Sequence, residues 1–152
     1  MNAGLIATAS VTIAALAADV WDALVTPAAI KAYMFGATVT SDWVVGSPIA
    51  WAGEWQGRAY QDKGIILEIV RERVLEFSHF SPLAGVADLP ENHHIVTVHL
   101  SSDGAQTCVS LRQDNNLTDA ARERAERNWS VMLAALKHFV EHNRPTIDTE
   151  PD

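Results

Sequence analysis

The sequence predicts an α+β domain in which an antiparallel sheet packs against one long C-terminal helix. Three observations predict it. Residues 5–13 alternate apolar and hydroxylic side chains, the period of a strand with one buried face. From Thr38 to Arg112, glycine and proline cut the chain into short β-prone stretches. After Thr118 the apolar spacing lengthens to three and four residues, the period of an amphipathic helix.

The first strand rests on Leu5, Ala7, Ala9, Val11 and Ile13, with Thr8, Ser10 and Thr12 between them. The apolar run from Leu5 to Ala18 could be mistaken for a secretory segment. No lysine or arginine precedes it and the hydroxyls interrupt it, so the strand is preferred. Asp19 can cap a short helix whose stripe is Val20, Trp21 and Leu24. Thr26-Pro27 then supplies a second cap with proline at the first helical position, and Gly36 ends a helix through Ile30, Tyr33 and Met34.

The middle segment is punctuated at Gly46-Ser47-Pro48, Gly53, Gly57, Gly64, the stretch Ser81 to Glu91, and Asp103-Gly104. Strands joined this way run antiparallel. The clearest hairpin signal is Asp103-Gly104, between Thr97-Val98-His99-Leu100 and Thr107-Cys108-Val109-Ser110-Leu111. In the last segment Ala125, Trp129, Met132, Leu133, Leu136 and Val140 form one stripe, which needs the sheet to cover it. The reading is a single domain over 1–143 with a flexible acidic tail over 144–152.

Composition narrows the function. With 152 residues there is room for one domain and a continuous core. A net charge of −8 argues against nucleic acid and anionic membrane as partners. No apolar run reaches the ~20 residues of a membrane helix. Cys108 is the lone cysteine, which excludes an internal disulfide and a thiolate zinc cage and suits a reducing cytoplasm.

Several segments carry a family resemblance. They are Ala18-Asp19-Val20-Trp21-Asp22-Ala23-Leu24, Gly53-Glu54-Trp55-Gln56-Gly57 with Asp62-Lys63-Gly64, Phe77-Ser78-His79-Phe80-Ser81-Pro82-Leu83, Pro90-Glu91-Asn92-His93-His94, Gln113-Asp114-Asn115-Asn116, and Asn128-Trp129 with Met132-Leu133 and Leu136-Lys137. In order and spacing, over roughly Ser10 to Glu141, the chain resembles the SRPBCC or START-like superfamily. Within it, the chain resembles the group of homologues of the heat-shock-protein-90 ATPase activator. The resemblance implies a helix-grip fold, a curved sheet gripping the last helix, often with a cavity between them. It implies no single activity.

If strand parity holds, Leu75, Phe77 and His79 share one face, continued on a neighbouring strand by His94, Val96, Val98 and Leu100. Opposite them the long helix presents Trp129, Met132, Leu133 and Leu136. Among Trp43, Trp55 and Tyr60, one is placed at a pocket mouth. The candidate ligand-binding set is therefore Trp55, Tyr60, Phe77, His79, His94, Val96, Trp129, Met132, Leu133 and Leu136. His79 and His94 are polar anchors or a general acid or base on one reading. On the plainer reading they are core histidines bonded to backbone carbonyls, preferred because no local carboxylate is evident to orient a ring. Glu54, Asp62 and Lys63 read as solvated turn charges.

Other candidates are weaker. His93 and His94 point to opposite faces and cannot chelate together, and His138 with His142 lies at a helix end that favours imidazolium. No metal and no cofactor are expected. Cys108 falls out of phase with the buried Thr107, Val109 and Leu111, and Asp114-Asn115-Asn116 reads as a turn leading into the helix. The loop Ser81 to Asn92 is long enough to close one end of a cavity. The expected function is non-enzymatic binding of a small apolar or amphipathic molecule between sheet and helix. Alternatives are a co-chaperone-like, stress-response domain with a protein partner, or a cyclase-type enzyme acting on a polyketide-like substrate. The co-chaperone reading is weakened because the chain lacks the extra N-terminal domain of the eukaryotic activator.

Overall fold

From Ala7 to Ile13 the odd residues of the first strand are buried or half-buried and the even ones are exposed. In the computed structural model, which describes residues 4–142 with the Trp55 side chain excepted, β1 spans Leu5–Ile13 and buries Ala7 and Ile13. The acidic tail expected over 144–152 lies outside the described residues. Two short helices follow, α1 (Ala17–Val25) and α2 (Pro27–Tyr33). Leu16, not Asp19, is the N-cap of α1, and Asp19 sits in the first turn, where a carboxylate still meets the positive helix end. Thr26 occupies the N-cap position of α2 with Pro27 at the first helical position, as the sequence predicts, but its hydroxyl makes no capping hydrogen bond among the described residues.

Six strands then run in succession: β2 (Thr38–Ser41), β3 (Pro48–Trp55), β4 (Arg58–Val70), β5 (Val74–His79), β6 (His94–Asp103) and β7 (Gln106–Asn116). They form one seven-stranded antiparallel sheet in the order β1-β7-β6-β5-β4-β3-β2. The β3–β4 turn is Gln56-Gly57, both with positive φ, which suits a tight two-residue hairpin. Gly104 plays that part between β6 and β7, at φ +65.

Two predicted breaks are not breaks. Gly53 lies inside β3 and Gly64 inside β4. Each is there for close approach: the Tyr60 ring packs on Gly53, and a Cβ at Gly64 would stand 1.7 Å from the Ser78 carbonyl oxygen. Gly64 thus lets β5 press against β4 where β4 turns from one neighbour to the other, with Lys63 bridging Phe80. Asp114-Asn115-Asn116 is likewise the end of β7 and not a turn; Asn115 takes φ +60 there. Thr118 caps α3 (Asp119–His142), accepting the Ala121 amide at 3.0 Å.

Helix α3 crosses the sheet and buries Met132, Leu133, Leu136 and Val140 against it. Ile13, Val20, Ile66, Val96, Val109, Leu133 and Leu136 are the largest apolar side chains fully enclosed, each contributing about 1.5–3 kcal/mol by burial. On one side the helix is fastened to the edge strand β1. Glu126 accepts the Thr8 amide at 3.0 Å, Glu141 accepts the Ala14 amide at 2.8 Å, and Lys137 donates to the Thr12 carbonyl at 2.9 Å. These are the outward-facing backbone groups that an edge strand leaves unpaired. The arrangement is the helix-grip fold that the resemblance implies.

Candidate ligand-binding site

Strand register sets the two predicted histidines side by side. His79 ends β5 and pairs directly with His94 at the start of β6, their ring centroids 6.4 Å apart. Leu75 pairs with Val98 and Phe77 with Val96 on the same inward face, and all four are buried. His93 points the other way, stacking on Phe80 at 4.9 Å and bonding Asp88 at 2.8 Å.

Sequence reasoning denied His79 an orienting carboxylate, and the structure corrects this. Asp62 Oδ2 lies 3.0 Å from His79 Nε2, with the two side chains only 17% and 24% exposed. Lys63 bridges Phe80, so Asp62 is the diagonal neighbour of His79 across the ladder, within reach of two medium-length side chains. Asp62 is therefore no solvated turn charge. Lys63 is exposed but also lies within a strand, ion-paired with Asp88 of the Ser81–Asn92 loop. Asp88 holds its proton less tightly than an ordinary carboxyl, chiefly through the hydrogen bond from Lys63 and then that from His93. Glu54 is exposed on β3.

The other oxygen of Asp62, Oδ1, is buried and has no hydrogen-bond partner among the described residues. Nearby Tyr60 has its phenol pushed up, first by burial and then by the Asp62 charge. Trp51 meets His79 edge-on at 5.2 Å and Phe77 at the same distance, fixing both rings from the β3 side. Burial also pushes up the Tyr33 phenol, whose hydroxyl donates to the Ala23 carbonyl at 3.1 Å.

His94 is oriented from β7. Its Nδ1 lies 2.9 Å from the Asp114 carbonyl oxygen, which can only accept, so Nδ1 carries the proton. The Gln113 amide nitrogen is also 3.4 Å from Nδ1, but a protonated nitrogen cannot accept, and this longer approach is a contact only. Gln113 spends its oxygen on the Trp129 indole N–H at 2.6 Å, tying α3 to the sheet.

Between α3 and the sheet the rings leave space. An inner chamber of about 110 Å³ is walled by Leu24, Ile30, Tyr33, Trp43, Ile49, Trp51, Tyr60, Leu75, Phe77 and Val98, with Asp62 and His79 as its polar members. An outer cleft of about 580 Å³ is bordered by Phe35, Ala84, Val86, Asn92, His94, Gln113, Asn115, Arg124 and Asn128. Met34, His79, Trp129 and Met132 border both, so they form the neck between them. Three non-glycine residues with left-handed backbone, Phe35, Trp43 and Asn115, also stand on these walls. Such strain gathers at functional sites.

Of the candidate set, Tyr60, Phe77, His79, Trp129 and Met132 line the inner chamber and His94 the cleft. Val96, Leu133 and Leu136 are enclosed in the core, bordering neither space. The Trp55 side chain lies outside the described residues. The sequence reading missed Asp62, Trp51, Gln113 and Met34. The loop residues Ala84, Val86 and Asn92 reach the cleft, so the Ser81–Asn92 segment forms part of its wall.

Among the described residues no group of three or more His, Cys, Asp or Glu side chains is placed to hold a metal ion. No helix among them is long and apolar enough to cross a membrane. His138 and His142 stack on each other at 4.1 Å near the end of α3. Cys108 is exposed.

Comparison with known proteins supplies the rest. Residues 14–141 match the family described as activator of Hsp90 ATPase homolog 1-like protein. The solution structure of ChR145 from Cytophaga hutchinsonii is 50% identical, covering 93% of this chain and 97% of that one, with a TM-score of 0.81. The Aha1 dimer from Colwellia psychrerythraea is 19% identical over 92% of this chain and 98% of its own, at a TM-score of 0.71. DynU16, a protein of the dynemicin biosynthetic locus, is 13% identical over 92% of this chain and 48% of its own, at 0.76. The last two show likeness of fold alone. No curated protein matches the chain.

Proposed function

The chain belongs to the activator of Hsp90 ATPase homologue 1-like family, and from that premise we propose that it binds a small apolar or amphipathic molecule between its sheet and its last helix. The observation that carries this reading is the neck. Met34, His79, Trp129 and Met132 border both an apolar chamber and a more polar, open cleft, so one molecule can lie across both. Apolar walls with a few oriented polar groups are the usual make-up of small-molecule sites. The chamber alone is smaller than the ~150 Å³ that accommodates benzene, so the cleft holds most of the ligand and the chamber takes one compact apolar end.

Native mass spectrometry of protein purified from its own host tests this. A retained small molecule, displaced when Met132 or Trp129 is replaced, supports the reading. Failure to bind any member of a broad lipid and metabolite panel counts against it.

One observation favours a second reading, catalysis in the same space. Asp62 holds the His79 ring by Nε2 and leaves Nδ1 without a protein partner among the described residues, the arrangement of an oriented general base. Turnover of a bound polyketide-like compound, abolished by His79→Gln with binding retained, would establish it. A chaperone partner, which the family's description brings forward, would need apolar surface. The exposed Phe35, Val86 and Leu117 gather at the cleft, so protein and small molecule would compete there.

A further inference from the structure

The solvent face of α3 carries a histidine pair that the space between sheet and helix does not use. His138 and His142 are one helical turn apart, so they project from the same side of α3. Both are exposed, and their rings lie face to face with centroids 4.1 Å apart and planes 27° from parallel. His142 Nδ1 is 2.8 Å from the His138 carbonyl oxygen, which can only accept, so Nδ1 carries a proton and Nε2 is the atom left for a ligand. Metal-bound imidazoles are held in this way, the second nitrogen donating to a backbone carbonyl. The ring nitrogens of His138 make no hydrogen bond among the described residues, so either can be offered.

We propose that His138 and His142 chelate one divalent transition-metal ion, of the zinc or copper class, on the outer face of α3. Imidazole is a ligand these ions favour. Nitrogen ligands lie about 2.0–2.1 Å from zinc, and a tetrahedral shell sets two of them about 3.3 Å apart. Rings 4.1 Å apart are close enough to reach one shared ion. The position suits a cation, because the last turn of a helix carries its negative end. Glu141 does not complete the shell, since its carboxylate is engaged by the Ala14 amide and by Lys137. With no group of three or more metal-ligating side chains among the described residues, the remaining positions go to water, and the site is exchangeable, not structural. It stands about 14 Å along the helix from Trp129, apart from the chamber and the cleft.

Zinc chloride titrated into the intact chain, followed by isothermal calorimetry in a buffer that does not bind metal, tests this. One ion per chain is expected. His138→Gln and His142→Gln should each weaken binding at least about tenfold, and the double variant should be little worse than either, because a chelate is lost with its first ligand. Both positions are exposed, so neither substitution disturbs the core. Cys108→Ser should bind zinc as the native chain does, which separates the histidine pair from the exposed thiol. In NMR spectra the two imidazoles should respond to zinc at one common midpoint. Binding unchanged in either histidine variant, binding lost in Cys108→Ser, or half of the ions lost with affinity intact overturns the proposal. So does the absence of any zinc binding.

Discussion

Helix α3 is held differently on its two sides. Toward β1 it is fastened by charged side chains that complete the backbone of the edge strand, with Lys137 also 2.5 Å from Glu141 and Arg122 3.0 Å from Glu126. Toward β3, β4 and β5 it faces Trp51, Tyr60, Asp62 and Phe77 across the chamber. The fastened side is specified by hydrogen bonds of fixed geometry, while the open side is specified by bulky rings that do not fill their space. A helix secured along one edge can leave room under the other without being lost from the sheet. Stability and the proposed ligand site thus fall on opposite flanks of one element.

Substitutions on the two flanks should separate them. The largest effect is expected from Leu136→Ala, which empties a fully buried position and should cost about 3–4 kcal/mol in urea unfolding. A cost under about 1 kcal/mol would mean the closed flank is loosely packed. Gly64→Ala drives a methyl group into the Ser78 carbonyl and should cost about 2–3 kcal/mol. It should also separate Asp62 from His79, read as a changed His79 imidazole resonance in NMR spectra. An unchanged resonance would show that the pair does not depend on that close approach.

Met132→Ala enlarges a space already present. It should cost about 1–2 kcal/mol, less than Leu136→Ala, and equal losses would erase the contrast between the flanks. The smallest effect belongs to Glu141. The Ala14 amide, followed by Lys137, holds its carboxyl below the ordinary glutamate range. Its folded value lies below its unfolded one, so its contribution is complete above the ordinary carboxylate range and drains away as pH falls through the depressed value. Stability measured by unfolding should fall as pH is lowered from 7 and this carboxyl takes up its proton. Glu141→Gln should remove that component of the slope, and an identical slope in the variant would break the assignment.

The fold was legible because its signals are periodic. The alternation in β1, the proline at the start of α2 and the Trp129-Met132-Leu133-Leu136 stripe each name an element and its buried face. The inward row of His79 and His94 followed from parity alone. The Asp62–His79 pair was not legible, because it depends on which strand lies beside β5 and in what register. Its trace was the segment Asp62-Lys63-Gly64, where glycine looked like a turn. Glycine in a strand signals close approach as readily as a break, and only pairing decides which. The split between core and lining also eluded the sequence. Leu133 and Met132 are neighbours with the same hydropathic character, yet only Met132 borders the open space.

The fastening of β1 bears on self-association. A strand at the margin of a sheet is a template on which another chain can grow, and here the longer margin is already occupied by Glu126, Lys137 and Glu141. The opposite margin is β2, with four residues. Fibril-like growth through strand addition is thereby restricted to a seam too short to hold it. Weakening the carboxylates of the helix would expose the longer one, so acid should favour aggregation of this chain beyond what loss of net charge alone produces.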